Sequence, residues 1–207
     1  QRELERIAYI DHITGGGNYA HFKKTLRDYR EPGYLISMDI HDFKIINSIC
    51  GIIKGDETLK NIWRCIEKSL TSKDLAAHIN ADRFAIYCRC DDKDEVIECI
   101  HKIGEGLKDI TEALKIPNII PYYGVSHWKH GKKVEEAYSE ANFAKNQVKE
   151  RKDISYQFYS HEDTLKILEN RAMEDEFAGA ISNGQFEIWY QPKYNPVDNK
   201  LVGAEAL

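Results

Sequence analysis

No uninterrupted apolar run in this chain approaches the ~20 residues that span a bilayer, so no membrane contact is expected from this segment. Nor is there an excess of basic charge. The 29 Lys and Arg against 34 Asp and Glu leave a net charge of -5, which gives no electrostatic footprint for nucleic acid. Five cysteines (Cys50, Cys65, Cys88, Cys90 and Cys99) make an odd number without a framework spacing. They read as free, buried or half-buried thiols of a reducing cytosol rather than as disulfides. The 8 histidines fall in no metal-ligand spacing with cysteine, which argues against zinc. Internal repeats and low-complexity tracts are absent. The opening QRELERIAYI is charged and helix-forming, unlike a signal peptide, and both ends read as cuts through a longer protein. The expected location is cytoplasmic, with membrane anchoring of a longer parent left open.

What is present is ordinary for a globular protein: 42% apolar and 30% charged residues in a chain long enough for a core of normal size. Leu4, Ile7 and Ala8 mark a connecting helix over residues 1–10. The turn-rich DHITGGGN, Asp11–Asn18, leads into a helix that Asn18 or Thr14 can cap. Tyr34–Ile40 reads as a central strand, Phe43–Asn47 as a helical turn, and Asp56 to about Leu70 as an amphipathic helix opened and capped by Asp56. Leu75–Cys88 reads as a hairpin turning at Asn80-Ala81, its second strand showing one apolar face. A long helix (Val96–Leu114), a strand (Asn118–Val125), a small-faced helix (Val134–Val148) and a strand (Ile154–Tyr159) follow. The order βαββαβ plus αβ predicts an α+β fold, a ferredoxin-like or palm-type antiparallel sheet with helices packed on it. Residues 11–160 form that domain. Residues 161–183, around a helix at His161–Ser182, read as a linker, and 184–207 as the start of another domain with strands at Phe186–Pro192 and Leu201–Ala206.

Asp39 ends the central strand and Asp82 sits at the hairpin tip, with Lys44, Lys145 and Lys149 as candidate phosphate partners. Two carboxylates at neighbouring strand ends suit Mg²⁺ and a nucleoside triphosphate, because hard oxygen ligands match that ion. By spacing alone the pattern is weak, since acids at strand ends and turns, and lysines anywhere, are by default solvated.

Taken in order, DHITGGGN, SMDIHDFKIINSICGIIKGD and HINADRF resemble the GGDEF (diguanylate cyclase) family over about Asp11–Tyr159. The last stretch, WYQPKYNPVDNKLVGAEAL, resembles the start of an EAL domain, the cyclic di-GMP phosphodiesterase family. The first resemblance implies that Asn47 and Asp56 read a guanine edge and that Lys44, Lys145 and Lys149 meet phosphates. It also implies that Asp39, the Ile40 carbonyl and Asp82 hold the metal. The second implies that Glu205, of Glu205-Ala206-Leu207, is a metal ligand in a full-length parent, with Gln191 near the substrate path.

Several residues depart from the family pattern. His41 replaces the second Asp of D-I-D, Ser48 the Asp after Asn47, Ile52 a His, and Tyr19 an Arg. The signature itself reads Asn80-Ala81-Asp82-Arg83-Phe84, without either glycine. Arg83 stands where active members carry an acid. A cation placed ~4 Å from a metal charge at an effective dielectric near 20 costs about 4 kcal/mol per unit charge, before the lost ligand is counted. Cyclase activity is therefore expected to be absent or very low, with no catalytic residue assigned. The family's R-x-x-D product site falls on Thr71-Ser72-Lys73-Asp74, where the arginine is missing.

Three readings follow. In the first, the domain binds GTP or GDP, with Mg²⁺ when nucleotide is bound, and regulates an EAL domain of the same chain. In the second it is a ligand-free structural or dimerisation domain. In the third it is an active cyclase making cyclic di-GMP from two GTP. A homodimer is an open partner in each.

Overall fold

The computed structural model describes residues 8–149, 151 and 153–207, with the side chain of residue 178 left out. The helix expected over residues 1–10 lies, as far as residue 7, outside the described residues. Contacts divide the chain into two units, one ending at Ser160 and one over His161–Leu207.

The first unit is an α+β sandwich. Its helices are α1 (Tyr19–Leu26), α2 (Phe43–Cys50), α3 (Ile52–Ser69), α4 (Lys93–Leu114) and α5 (Val134–Lys149). Its strands are β1 (Gly33–Ile40), β2 (Leu75–Asn80), β3 (Arg83–Cys88), β4 (Pro121–Trp128) and β5 (Tyr156–Phe158), in the sheet order β2-β3-β1-β4-β5. Each of the first four strands is antiparallel to its neighbours among them, in ferredoxin-like order, as expected. The fifth is a correction to an all-antiparallel sheet: β5 pairs parallel to β4, because α5 carries the chain back across the sheet before it.

Helices cover both faces. Tyr34, Ile36, Met38 and Ile40 of β1 pack with Leu59, Ile62 and Ile66 of α3 and Ile100, Ile103 and Leu107 of α4. On the other face Leu35, Ala85 and Tyr87 meet Phe22 and Leu26 of α1 and Ala137 and Ala141 of α5. β3 thus contributes Phe84 and Ile86 to one core and Ala85 and Tyr87 to the other, so its single expected apolar face is corrected to two. Asn18 does cap α1, its side chain accepting from the His21 N–H at 3.0 Å.

Other boundaries move. α2 continues to Cys50 instead of closing at Asn47. α3 starts at Ile52, not Asp56, because Gly51 at φ +86° turns the chain there and no side chain caps the helix. Asp56 lies a turn inside and is not a cap. β4 runs Pro121–Trp128 rather than Asn118–Val125, and β5 is shorter than Ile154–Tyr159.

In the second unit, α6 (His161–Ser182) has the expected bounds. β6 (Tyr190–Tyr194) starts later than Phe186, and β7 spans Leu201–Ala206. β6 and β7 pair antiparallel, with Gln191 opposite Glu205. Among the described residues no helix is long and apolar enough to cross a membrane.

Candidate functional site

The register of the sheet builds the centre of the site. Met38 lies opposite Phe84, so the end of β1 runs alongside the β2–β3 turn. That turn is Ala81-Asp82, one residue later than the sequence suggests, because Asn80 pairs with Arg83 after an irregularity between His78 and Asn80. Asp82 then meets Asp39 over a single backbone donor. The Ile40 N–H donates to Asp39 Oδ1 at 3.0 Å and to Asp82 Oδ2 at 3.3 Å.

Lys145 completes the cluster. It arrives from α5, is 2% exposed, and its Nζ lies 3.0 Å from Asp39 Oδ2. It is no solvated lysine. Burial acts to raise Asp39, but the hydrogen bond with Asp82 and the Lys145 ammonium overcome it and hold the carboxyl below its ordinary value. Asp82 goes the other way. Burial, then the Asp39 carboxylate, push it up to about 6. The two acids split as neighbouring carboxylates do when only one has a direct cation.

The two carboxylates are oxygen donors of the class a hard divalent cation takes. Two carboxylates converge on one N–H, at a point where negative charge is only partly compensated. Tyr122, opposite Asp39 in β4, also lines the cluster. Burial, followed by the Asp39 charge, pushes its phenol well up. His41 tilts against its ring, with centroids 4.3 Å apart.

The nucleotide-reading candidates sit on the α2–α3 corner. Asn47 and Asp56 are both partly buried. Asn47 Oδ1 packs directly on Gly55, where any Cβ would run into it, so that glycine lets the amide lie beside the start of Asp56. Ile49, Ile52 and Ile53 leave the same corner broadly apolar and exposed. Lys44, in the first turn of α2, and Lys149, one turn beyond Lys145, are both exposed. The structure therefore brings Asp39, Ile40, Asp82 and Lys145 into one cluster and leaves Lys44 and Lys149 free of any ion pair among those described.

At the tip, Arg83 is exposed and its Nε donates to Asn80 Oδ1 at 2.8 Å. Ala81 takes φ +51°, the left-handed region that costs an L-residue roughly 1–2 kcal/mol. Ala81→Gly should therefore stabilise the unit by about 1 kcal/mol, less the extra chain entropy glycine brings. Chemical denaturation checks this; an unchanged or lowered midpoint would contradict strain at this turn.

Sequence reasoning missed His78. It is 1% exposed, with Nε2 at 2.8 Å from the Ala81 carbonyl and Nδ1 at 2.9 Å from Asp11 Oδ1. The second contact is an ion-pair distance without hydrogen-bond alignment. Asp11 Oδ1 also accepts from Thr14 N and Thr14 Oγ1, each at 2.8 Å. Burial works against ionisation, yet the Thr14 hydrogen bonds and His78 hold Asp11 low. One imidazole thus ties DHITGGGN to the signature turn. No spacing reveals it, because the contact depends on strand register. Asp74, the surviving acid of the T-S-K-D stretch, is spent locally, accepting from Thr71 N at 2.7 Å and Arg89 N at 2.8 Å. A cavity of ≈ 600 Å³ lies elsewhere, lined by Ile100, Gly104, Lys108 and Ile119, and contains none of the cluster.

The comparisons agree with this fold. Cyclic di-GMP phosphodiesterase NbdA of Pseudomonas aeruginosa is 25% identical over 99% of this chain, and signaling protein YkoW of Bacillus subtilis is 25% identical over 100%. The chain spans 27% of the length of each. Among solved structures, the S helix-GGDEF-EAL portion of Vibrio cholerae LapD, bound to c-di-GMP, superposes with a TM-score of 0.67 at 19% identity. The match covers 99% of this chain and 50% of that one. The GGDEF domain of TpbB (YfiN) from Pseudomonas aeruginosa gives 0.65 at 21% identity, over 78% of this chain and 99% of that one. These two likenesses are likenesses of fold. Residues 8–154 match the family model described as "Diguanylate cyclase, GGDEF domain", and on that match the chain belongs to the GGDEF domain family.

Proposed function

We propose that this GGDEF domain is a catalytically degenerate regulatory module of cyclic di-GMP signalling. It binds GTP or GDP through Asn47 and Asp56, with Lys44, Lys145 and Lys149 toward the phosphates, and controls an adjoining EAL phosphodiesterase. The observation that carries this reading is Arg83. It occupies the position of the family's second signature acid and hydrogen-bonds across the turn to Asn80, while the guanine-reading pair is retained. Mg²⁺ bound with a nucleotide would be held by Asp39, Asp82 and the Ile40 carbonyl, and would neutralise phosphate oxygens. Residues 161–183 serve as the linker. The hairpin β6–β7 opens the EAL domain, and its Glu205, ion-paired with Lys193 at 2.8 Å in this chain, is a metal ligand of the full-length parent.

Titration calorimetry tests the binding. GTP and GDP should bind and ATP should not, and Asn47→Ala or Asp56→Ala should lower affinity at least about tenfold, the cost of stranded hydrogen bonds to the base. No guanine preference, or affinity unchanged in both variants, would overturn the reading. Production of cyclic di-GMP by the purified chain would overturn the degeneracy. The ligand-free reading, with the domain as a structural or dimerisation unit, is favoured by one feature. Lys145 already supplies Asp39 with a cation. An absent thermal shift with every guanine nucleotide would select it.

A further inference from the structure

Three of the five cysteines meet where β3 ends and α4 begins. Cys88, the last residue of β3, is 5% exposed, and its Sγ donates to Cys99 Sγ at 3.7 Å. Cys99 lies in the second turn of α4 and is only partly buried. Both line a cleft of ≈ 170 Å³ together with Cys90, Asp74 and Lys102, which gives a small molecule access to the pair. Cys90 is nearby but turned away, its Sγ directed to the Cys88 carbonyl at 3.8 Å.

We propose that Cys88 and Cys99 are a redox modification site, closing to a disulfide when hydrogen peroxide enters this cleft. The Cys99 thiolate attacks the peroxide. One oxygen becomes the sulfenic acid and the other leaves as water after taking a proton. Cys88 sulfur then attacks Cys99 sulfur, the S–O bond breaks, and the Cys88 proton leaves with that oxygen as a second water. Two thiols lose two electrons and one peroxide gains them. A dithiol reductant reverses the change by exchange.

The roles follow from the surroundings. The Cys88 hydrogen bond, helped by Lys102, outweighs burial and the Asp74 and Glu98 carboxylates and holds the Cys99 thiol below its ordinary value. The same bond, then burial, raises Cys88 well above. Cys90 is pushed up to about 12 by burial and then by Glu95, and burial also raises Cys65. Cys99, the more exposed of the two in the cleft, is the nucleophile, and the buried Cys88 is the resolving thiol. The two sulfurs already lie in contact at 3.7 Å, so the bond forms by closing that gap to the roughly 2 Å of a disulfide.

The test is intact-mass and non-reducing peptide analysis of the chain treated with hydrogen peroxide. The expected result is a loss of about 2 Da, reversed by dithiothreitol, in a peptide pair joining Cys88 to Cys99. Cys90→Ser should leave that link intact, and Cys99→Ser should abolish it. A link through Cys90, oxygen added at Cys99 with no crosslink, or oxidation of Cys50 before any change at Cys99 would each overturn the proposal. The wild-type peptide map decides without relying on any variant to fold.

Discussion

Lys145→Met should lower the melting temperature of the first unit by roughly 6–12 °C. Lys145 is 2% exposed, and its ammonium makes its one described ion pair with Asp39. Methionine keeps most of the aliphatic stem, so the variant removes charge rather than volume. Asp39 would then face Asp82 with only the shared Ile40 N–H between them. Breaking a buried pair from one side costs about 3–5 kcal/mol, and the low end applies because Asp39 keeps some contact with water. At 2–4 °C per kcal/mol for a unit of this size, about 3 kcal/mol gives the stated fall. Adding Asp39→Asn to Lys145→Met should recover much of the loss, since the repulsion with Asp82 vanishes. Asp39→Asn alone strands the ammonium and should also destabilise. Differential scanning calorimetry of the four proteins measures the coupling. Additive losses, or a Lys145→Met midpoint within about 2 °C of wild type, would show that the pair contributes little.

That charge cluster marks the boundary of what the sequence discloses. The element order predicts the ferredoxin-like strand order correctly, because alternating apolar periods and turn residues are local signals. α6 ends where its helical pattern ends. The carboxylates Asp39 and Asp82 are visible as acids at a strand end and a turn. Their meeting over the Ile40 N–H is not, because it requires a register that slips between His78 and Asn80. Lys145 looks like any lysine at the end of a helix. Its burial follows from the small residues before it, Ala137, Ala141 and Ala144, which let α5 approach the sheet. That stripe is legible as a close-packed face, though not as a device for lowering a cation into the site. The sequence misplaces the start of α3 for a different reason. Ile52 and Ile53 are exposed on its first turn, so the apolar pattern that marks a helix by its buried face starts only later, at Leu59. His78 and Tyr122 have no spacing signal at all, since each acts on a residue distant in sequence.

Gly124→Ala should be as damaging as the loss of Lys145, and through the same helix. Gly124 lies mid-strand in β4, paired with Ser37 of β1. A Cβ there would run into the Ala141 carbonyl and the Lys145 amide nitrogen, and would sit 2.8 Å from Lys145 Cα. These are backbone atoms of α5, so no side chain can rotate out of the way. The helix must move off the sheet, opening the packing of Ala137, Ala141 and Ala144 and withdrawing the root of Lys145 from Asp39. Overpacking of this kind costs about 1–3 kcal/mol, and the rigid partner places Gly124→Ala at the upper end. Gly104→Ala is the control. It is helical, a Cβ there meets nothing within 4 Å, and it should stabilise α4 by up to about 1 kcal/mol. The damage of Gly124→Ala and of Lys145→Met should not add, because the first already displaces the ammonium that the second deletes. A Gly124→Ala protein that melts at the wild-type temperature, or a double variant that loses the full sum, would mean that close approach of α5 to β4 does not set the position of Lys145.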